Sequence, residues 1–302
     1  MCFSFCMKTR TRLIAMLAAV GVLQACGSGE EPAAAPAPDP VAATAAEHEH
    51  DTPTPTPLAV AEPAIPVLEQ TLAYGEGSTS NLVGYLAMPA DAAEPLPGII
   101  VIHEWWGLND NIKAMTRRLA GEGYVVLAID LYGGATATTP DAAQALMAAS
   151  LEDPEAAGKN IRQAYDYLEK YALAPRIASV GWCFGGGWSL QAAWLLPDAL
   201  DATVMYYGQL MTDRNRLAAI DVPLLGFFGG LDASIPVRDV QGFRSTLLEL
   251  RKNAEVLIYP RADHAFANPS GGNYNEEAAN DSWAKTLAFL SRHLQLATPT
   301  QQ

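Results

Sequence analysis

Three residue types that together can carry out acyl transfer lie in order along this 302-residue chain. Cys183 stands at the centre of Gly181-Trp182-Cys183-Phe184-Gly185, behind an apolar run and ahead of a glycine-rich helix start. Asp232 follows in "VPLLGFFGGLDASIP" and His264 in "VLIYPRADHAFAN", each about one strand–helix unit further on. A thiol at a sharp strand-to-helix turn is lifted clear of its sheet, and flanking glycines admit a backbone path that a Cβ would block. The helix start behind the sulfur favours the thiolate over the thiol. An imidazole can move the proton, and a carboxylate can hold the imidazole's ring. The Phe184 N–H, just past the sulfur, would point at a developing oxyanion. The plain alternative is a buried structural cysteine beside a glycine-rich turn. The acid and base in the expected order weigh against it. The rivals are weaker: His293 lies in the last helix pattern, Asp221 precedes its strand, and Asp239 belongs to a helix face.

A second cluster, "VIHEWWGLND" (Val101–Asp110), ends another apolar run. His103 reads as a packed strand-end histidine. Glu104 would raise a neighbouring thiol's pKa by repulsion or accept its proton. The Trp105 N–H could complete the oxyanion hole from the loop after this strand.

The elements that must position these residues are legible. "GYLAMPA", "PGIIVIHE", "YVVLAID", "RIASVG", "ATVMYYG", "VPLLGFFGG" and "AEVLIYP" are apolar runs suited to strands buried on both faces of a parallel sheet. Helix patterns stand between or after them. "DNIKAMTRRLAGEG" carries Ile112, Met115 and Leu119 on one face, and "DPEAAGKNIRQAYDYLEKY" opens with Asp153 as N-cap and Pro154 at the first helical position. "PVRDVQGFRSTLLELRKN" and "EEAANDSWAKTLAFLSRHL" supply two more. The alternation predicts one α/β domain, doubly wound around a mostly parallel sheet, over residues 67–296, with a short disordered tail at 297–302.

The N-terminal part reads differently. A basic stretch (Met7–Arg12), an apolar run (Leu13–Leu23) too short to span a bilayer with ease, and "LQAC" ending at Cys26 match a bacterial lipoprotein signal over residues 1–25, with Met7 a candidate start. Cys26 would then be lipidated, and Gly27 after it favours the outer membrane, periplasmic side. Cys2 and Cys6 leave with the signal, so Cys183 is the one free thiol left in an exported chain, where an unpaired cysteine needs a reason. Residues 26–66 are rich in Ala, Pro, Glu and Thr and read as a disordered tether, able at about 3.1 Å per residue to reach on the order of 100 Å. Within it "EHEHD" could hold a metal loosely through His48 and His50. A solvated linker is the favoured reading, because no further ligands stand nearby in sequence. The formal charge of −14 disfavours nucleic acid and anionic lipid as partners.

From about Leu68 to Leu294 the chain resembles the dienelactone hydrolase family of α/β-hydrolases. "HEWWGLN", "AIDLYGG", "GWCFGGG", "GGLDASIP" and "DHAFANP" carry the likeness. The resemblance implies an α/β-hydrolase fold and a Cys183–His264–Asp232 triad that opens an ester or lactone through a thioester. It also implies that Glu104 pairs with the resting thiol. Family members that cleave dienelactones carry two arginines that grip the substrate carboxylate; Gly134 and Asn268 stand at those positions here. Loss of both charge-assisted contacts points to a neutral substrate. Trp106, Tyr132, Trp182, Phe266 and Asn268 are the candidate pocket residues, though each aromatic could equally be core. No metal or organic cofactor is needed for thiol acyl transfer, and the oligomeric state is not legible. A different class of function, a non-catalytic envelope lipoprotein using the cleft for binding, would not need the acid–base–nucleophile set.

Overall fold

The computed structural model describes residues 40–48, 51, 53–55, 62–77 and 81–294. The lipoprotein signal, Cys26 and the C-terminal tail lie outside the described residues.

Eight strands form one sheet: β1 (Val67–Ala73), β2 (Val83–Pro89), β3 (Gly98–Ile102), β4 (Val125–Ile129), β5 (Ile177–Trp182), β6 (Ala202–Tyr206), β7 (Leu224–Gly229) and β8 (Ala254–Tyr259). Their order across the sheet is β1-β2-β4-β3-β5-β6-β7-β8. The first two strands pair antiparallel, and every pair from β4 to β8 is parallel. Burial explains the parallel part. All of β3, β4, β5, β6 and β7 is buried, so each strand needs apolar side chains on both faces. Ile99, Ile100, Val101 and Ile102 are wholly inaccessible, each contributing about 1.5–3 kcal/mol.

Helices cover both faces. On one side α4 (Pro154–Lys170) and α5 (Phe184–Leu195) pack on β3, β4, β5 and β6. On the other lie α2 (Asp110–Ala120) and α8 (Glu276–Leu294), joined where the Arg118 guanidinium sits 3.9 Å over the Trp283 ring. Helix α7 (Val237–Glu249) packs beside β8, and short α6 (Arg214–Ala218) precedes β7. Under the turn at Cys183 a buried hydroxyl cluster ties three elements together. Ser179 Oγ lies 2.8 Å from both Ser189 Oγ and Thr203 Oγ1, and the latter donates to the Ser189 carbonyl at 2.9 Å.

Three elements depart from the sequence reading. Strand β1 is an edge whose side chains are mostly exposed, so "VLEQTLA" carries little apolar signal. Helix α3 (Pro140–Glu152) is Ala-rich and buries only Ala143 and Met147, so no apolar stripe announces it. The third departure bears on function. Residues 40–51 were expected to lie in a structureless tether, yet Pro40–Glu47 form helix α1, packed against α3, and His48 just after it is buried. The stabilisation comes from contacts distant in sequence, which composition does not register. No helix among the described residues is long and apolar enough to cross a membrane.

Candidate active site

The carboxyl ends of β3, β5, β7 and β8 converge on one edge of the sheet, where open α/β folds bind ligands. They carry Glu104, Cys183, Asp232 and His264 in turn.

Cys183 has φ 52° and ψ −119°, a left-handed conformation rare for a residue with a Cβ, and it opens α5. Holding it costs about 1–3 kcal/mol, offset by the surrounding packing. The two flanking glycines are sterically required. A Cβ on Gly185 would lie 2.5 Å from the His103 carbonyl oxygen and closer still to that of Ile102. One on Gly181 would lie 2.9 Å from the Gly186 nitrogen and inside the Gly185 carbonyl. The Cys183 N–H donates to the Tyr206 carbonyl at 3.0 Å, pinning the turn to β6.

His264 Nδ1–H donates to Asp232 Oδ2 at 2.8 Å. The other oxygen, Oδ1, accepts from Ser234 N (2.9 Å), Ser234 Oγ (2.7 Å) and Ile235 N (2.8 Å). This turn locks the carboxylate in place. Ser234 escaped the sequence reading, although an Asp-x-Ser spacing after a strand is its signature. With Nδ1 committed, His264 presents Nε2, a buried atom with no hydrogen-bond partner of good geometry, toward the sulfur.

Charge follows geometry. Burial opposes ionising Cys183, but His264 and His48 outweigh it and lower the thiol pKa to about 6. Burial likewise opposes a charged His264, yet Cys183 and Asp232 raise its pKa well above the ordinary value. Asp232 is lowered, against burial, by the hydrogen bond and charge of His264 and by Ser234. The resting state is a thiolate–imidazolium pair.

Glu104 differs from what the resemblance implied. It does not pair with the thiol; its Oε2 accepts from Asn268 Nδ2 at 3.0 Å. Burial, then the Cys183 charge, raises its pKa to about 8. A buried carboxylate cannot share space with a thiolate without a cost, so the proton stays on the acid. Asn268, expected in the substrate pocket at a position where relatives carry arginine, instead orients Glu104 while also facing the adjoining cleft.

That cleft is lined by Glu104, Asn111, Ile112, Met115, Trp182 and Asn268, among others, and none of its lining residues is a cation. Asn111 Nδ2 is buried there without a partner. Of the five expected pocket residues, Trp182 and Asn268 line the cleft. Phe266 does not: it is core, packed against Tyr206, Tyr207 and Tyr259. Trp106 is buried against Trp105, its carbonyl accepting from Ala137 N. Tyr132 stacks edge-on against His103, near Phe184. His103 is structural, its Nε2 accepting from Leu131 N at 3.0 Å. At the other arginine position Gly134 donates its N–H to the Asp130 carboxylate, closing a turn at φ 94°.

The sequence reading missed what covers the sulfur. His48 Nε2 stands 3.5 Å from Cys183 Sγ. Its ring stacks on Trp105 at 4.8 Å and meets His264 edge-on at 5.3 Å. His48 Nδ1–H donates to Asp51 Oδ2 at 2.7 Å, and Asp51 Oδ1 accepts from Gly272 N at 2.7 Å. On the other flank Glu47 Oε1 accepts from Ser234 N at 3.1 Å. Burial disfavours charge on His48, yet Asp51 and Cys183 raise its pKa to about 9. The sulfur therefore lies between two carboxylate-held imidazoles, and Cys183 is only 3% exposed.

This scaffold, with a nucleophile turn after β5 and an acid and base after β7 and β8, is an α/β-hydrolase. The dienelactone hydrolase family profile matches residues 82–294, and the chain belongs to that family. It is 32% identical to a Saccharolobus solfataricus protein provisionally named carboxymethylenebutenolidase, over 74% of this chain and 99% of the relative. It is likewise 32% identical to protein usf of Aquifex pyrophilus, over 70% and 93%. A crystal structure from Klebsiella pneumoniae, provisionally named a dienelactone hydrolase, superposes with TM-score 0.67 at 28% identity, covering 75% of this chain and 99% of the other. The chain is thus a hydrolase.

Proposed function

We propose that this protein hydrolyses a neutral carboxylic ester or lactone through a thioester on Cys183. The observation that carries the reading is the line Asp232–His264–Cys183, with Nδ1 of the imidazole fixed at 2.8 Å from the carboxylate and Nε2 left facing a sulfur on a strained turn. The thiolate attacks the ester carbonyl carbon, and the carbonyl π electrons move onto oxygen. The Phe184 and Trp105 N–H groups stand beside Cys183 and Glu104 to receive that oxyanion. On collapse the C–O bond breaks, and the alkoxide leaves with the proton carried by His264. Water, deprotonated by the now neutral imidazole, then cleaves the thioester to acid and thiolate. Asp232 orients the ring and stabilises the imidazolium without taking its proton. Asn268 and Glu104 act as positioning residues on the cleft side.

The neutral substrate follows from the cleft, whose lining holds no lysine or arginine to pair a carboxylate. Relatives bearing the name carboxymethylenebutenolidase support an ester or lactone as substrate class. Hydrolysis of short p-nitrophenyl esters and neutral lactones by the full chain, against Cys183→Ala, tests the reading. A fall of about 1000-fold or more is expected, and equal turnover would refute it. The proposal extends to the cell envelope: Cys26 bears lipid and anchors the enzyme. Failure of the full chain to incorporate labelled palmitate in a bacterial host, with Cys26→Ala as control, would dismiss that part.

A further inference from the structure

The histidine of the N-terminal strap brings a third donor to the nucleophile and its base. His48, Cys183 and His264 are all buried, and one ligating atom from each lies within 4.8 Å of the other two. In tetrahedral zinc sites, Zn–S near 2.3 Å and Zn–N near 2.0–2.1 Å put sulfur and nitrogen about 3.6 Å apart. The His48 Nε2 to Cys183 Sγ separation is 3.5 Å. Both imidazoles turn Nε2 inward because both Nδ1 atoms are held by carboxylates, Asp51 at 2.7 Å and Asp232 at 2.8 Å. This carboxylate–histidine arrangement fixes the tautomer and ring direction that a metal needs. His264 Nε2 is a buried polar atom without a partner, aimed into the same space.

We propose that His48, Cys183 and His264 form a binding site for a thiophilic divalent cation of the zinc type, and that filling it latches the strap over the nucleophile. The sulfur and two neutral imidazoles supply three ligands, leaving the fourth position to water. The protons held in the cluster pass to solvent as the metal enters. The metal joins residues from α1's end, the β5 turn and the β8 loop, so it closes the strap and occupies nucleophile and base together. The inhibitory consequence rests on the proposed hydrolase mechanism; the metal site does not.

The test titrates the full chain, freed of metal by chelator and kept reduced, with Co2+ as a spectroscopic substitute. One equivalent should produce thiolate-to-cobalt charge transfer and tetrahedral d–d bands, and Zn2+ should displace them. Cys183→Ser should abolish the charge-transfer band, and His48→Ala should weaken binding by about 100-fold or more. Asp51→Asn, which keeps all three ligands, should weaken it about 10- to 100-fold. In parallel, stoichiometric Zn2+ should stop ester hydrolysis in the wild type, chelator should restore it, and His48→Ala should resist. No charge-transfer band in the wild type would overturn the site. So would equal affinity in His48→Ala, since the metal would then need only the catalytic pair. If the band forms while Cys183→Ser still hydrolyses esters, the mechanism fails and the metal site stands.

Discussion

Removing the His48 ring should lower KM while leaving the chemistry in place. In the structure the ring stands on the sulfur, so a substrate must displace the strap before it can react. Two contacts disappear in His48→Ala. The stack on Trp105 at 4.8 Å accounts for about 0.5–1.5 kcal/mol. The charged contact with Cys183 at 3.5 Å accounts for about 1.5 kcal/mol, the low end for a bond to an ion because sulfur is a diffuse acceptor. The loss also strips Asp51 of its partner, so about 2–3 kcal/mol of strap closure is removed altogether. When a competent state is fractionally populated, apparent affinity falls by that fraction. The open fraction should therefore rise roughly 30- to 150-fold until open molecules dominate. Steady-state kinetics in chelator, on one p-nitrophenyl ester, would show KM falling by up to that factor with kcat within about twofold. If KM held and kcat fell instead, His48 would be serving the reaction, and the occlusion argument would be refuted.

Further outcomes follow from the same geometry. Asp232→Asn should keep its turn, since Ser234 and Ile235 still find an oxygen, but lower kcat by roughly 10²–10⁴-fold; a drop under tenfold would remove Asp232 from the mechanism. Glu104 is ionised in the unfolded chain above its ordinary pKa but protonated in the folded one up to about pH 8. Its contribution to stability is full below the ordinary pKa and is lost as pH rises through about 8. Glu104→Gln, neutral throughout, should flatten the decline in Tm between pH 5 and pH 9; parallel Tm profiles would contradict the burial argument. Gly185→Ala sets a Cβ against two backbone carbonyls that cannot yield, costing about 3 kcal/mol or more, measurable by urea unfolding. Gly158→Ala, mid-helix in α4 with ordinary contacts at 3.5 Å, should instead stabilise by about 0.5–1 kcal/mol.

Much of this molecule was written locally. Strands buried on both faces must be continuous apolar runs, which is why β3 to β7 stand out in the sequence. A nucleophile turn must have Gly181 and Gly185 around Cys183, and chain order then points to Asp232 and His264. These features depend on the few residues around each position. What depended on distant contacts was hidden. Phe266 and Trp182 are both aromatics near the site, yet one is core and the other lines the cleft. Glu104 answers to Asn268, more than a hundred and sixty residues away. The "EHEHD" stretch has the composition of a solvated linker, and nothing local to it tells that His48 lies on the sulfur of Cys183. Composition sums what a segment would bury against itself, whereas the strap is held by what Trp105, Ser234 and Gly272 offer from the folded domain. Only the assembled sheet brings those partners to one place.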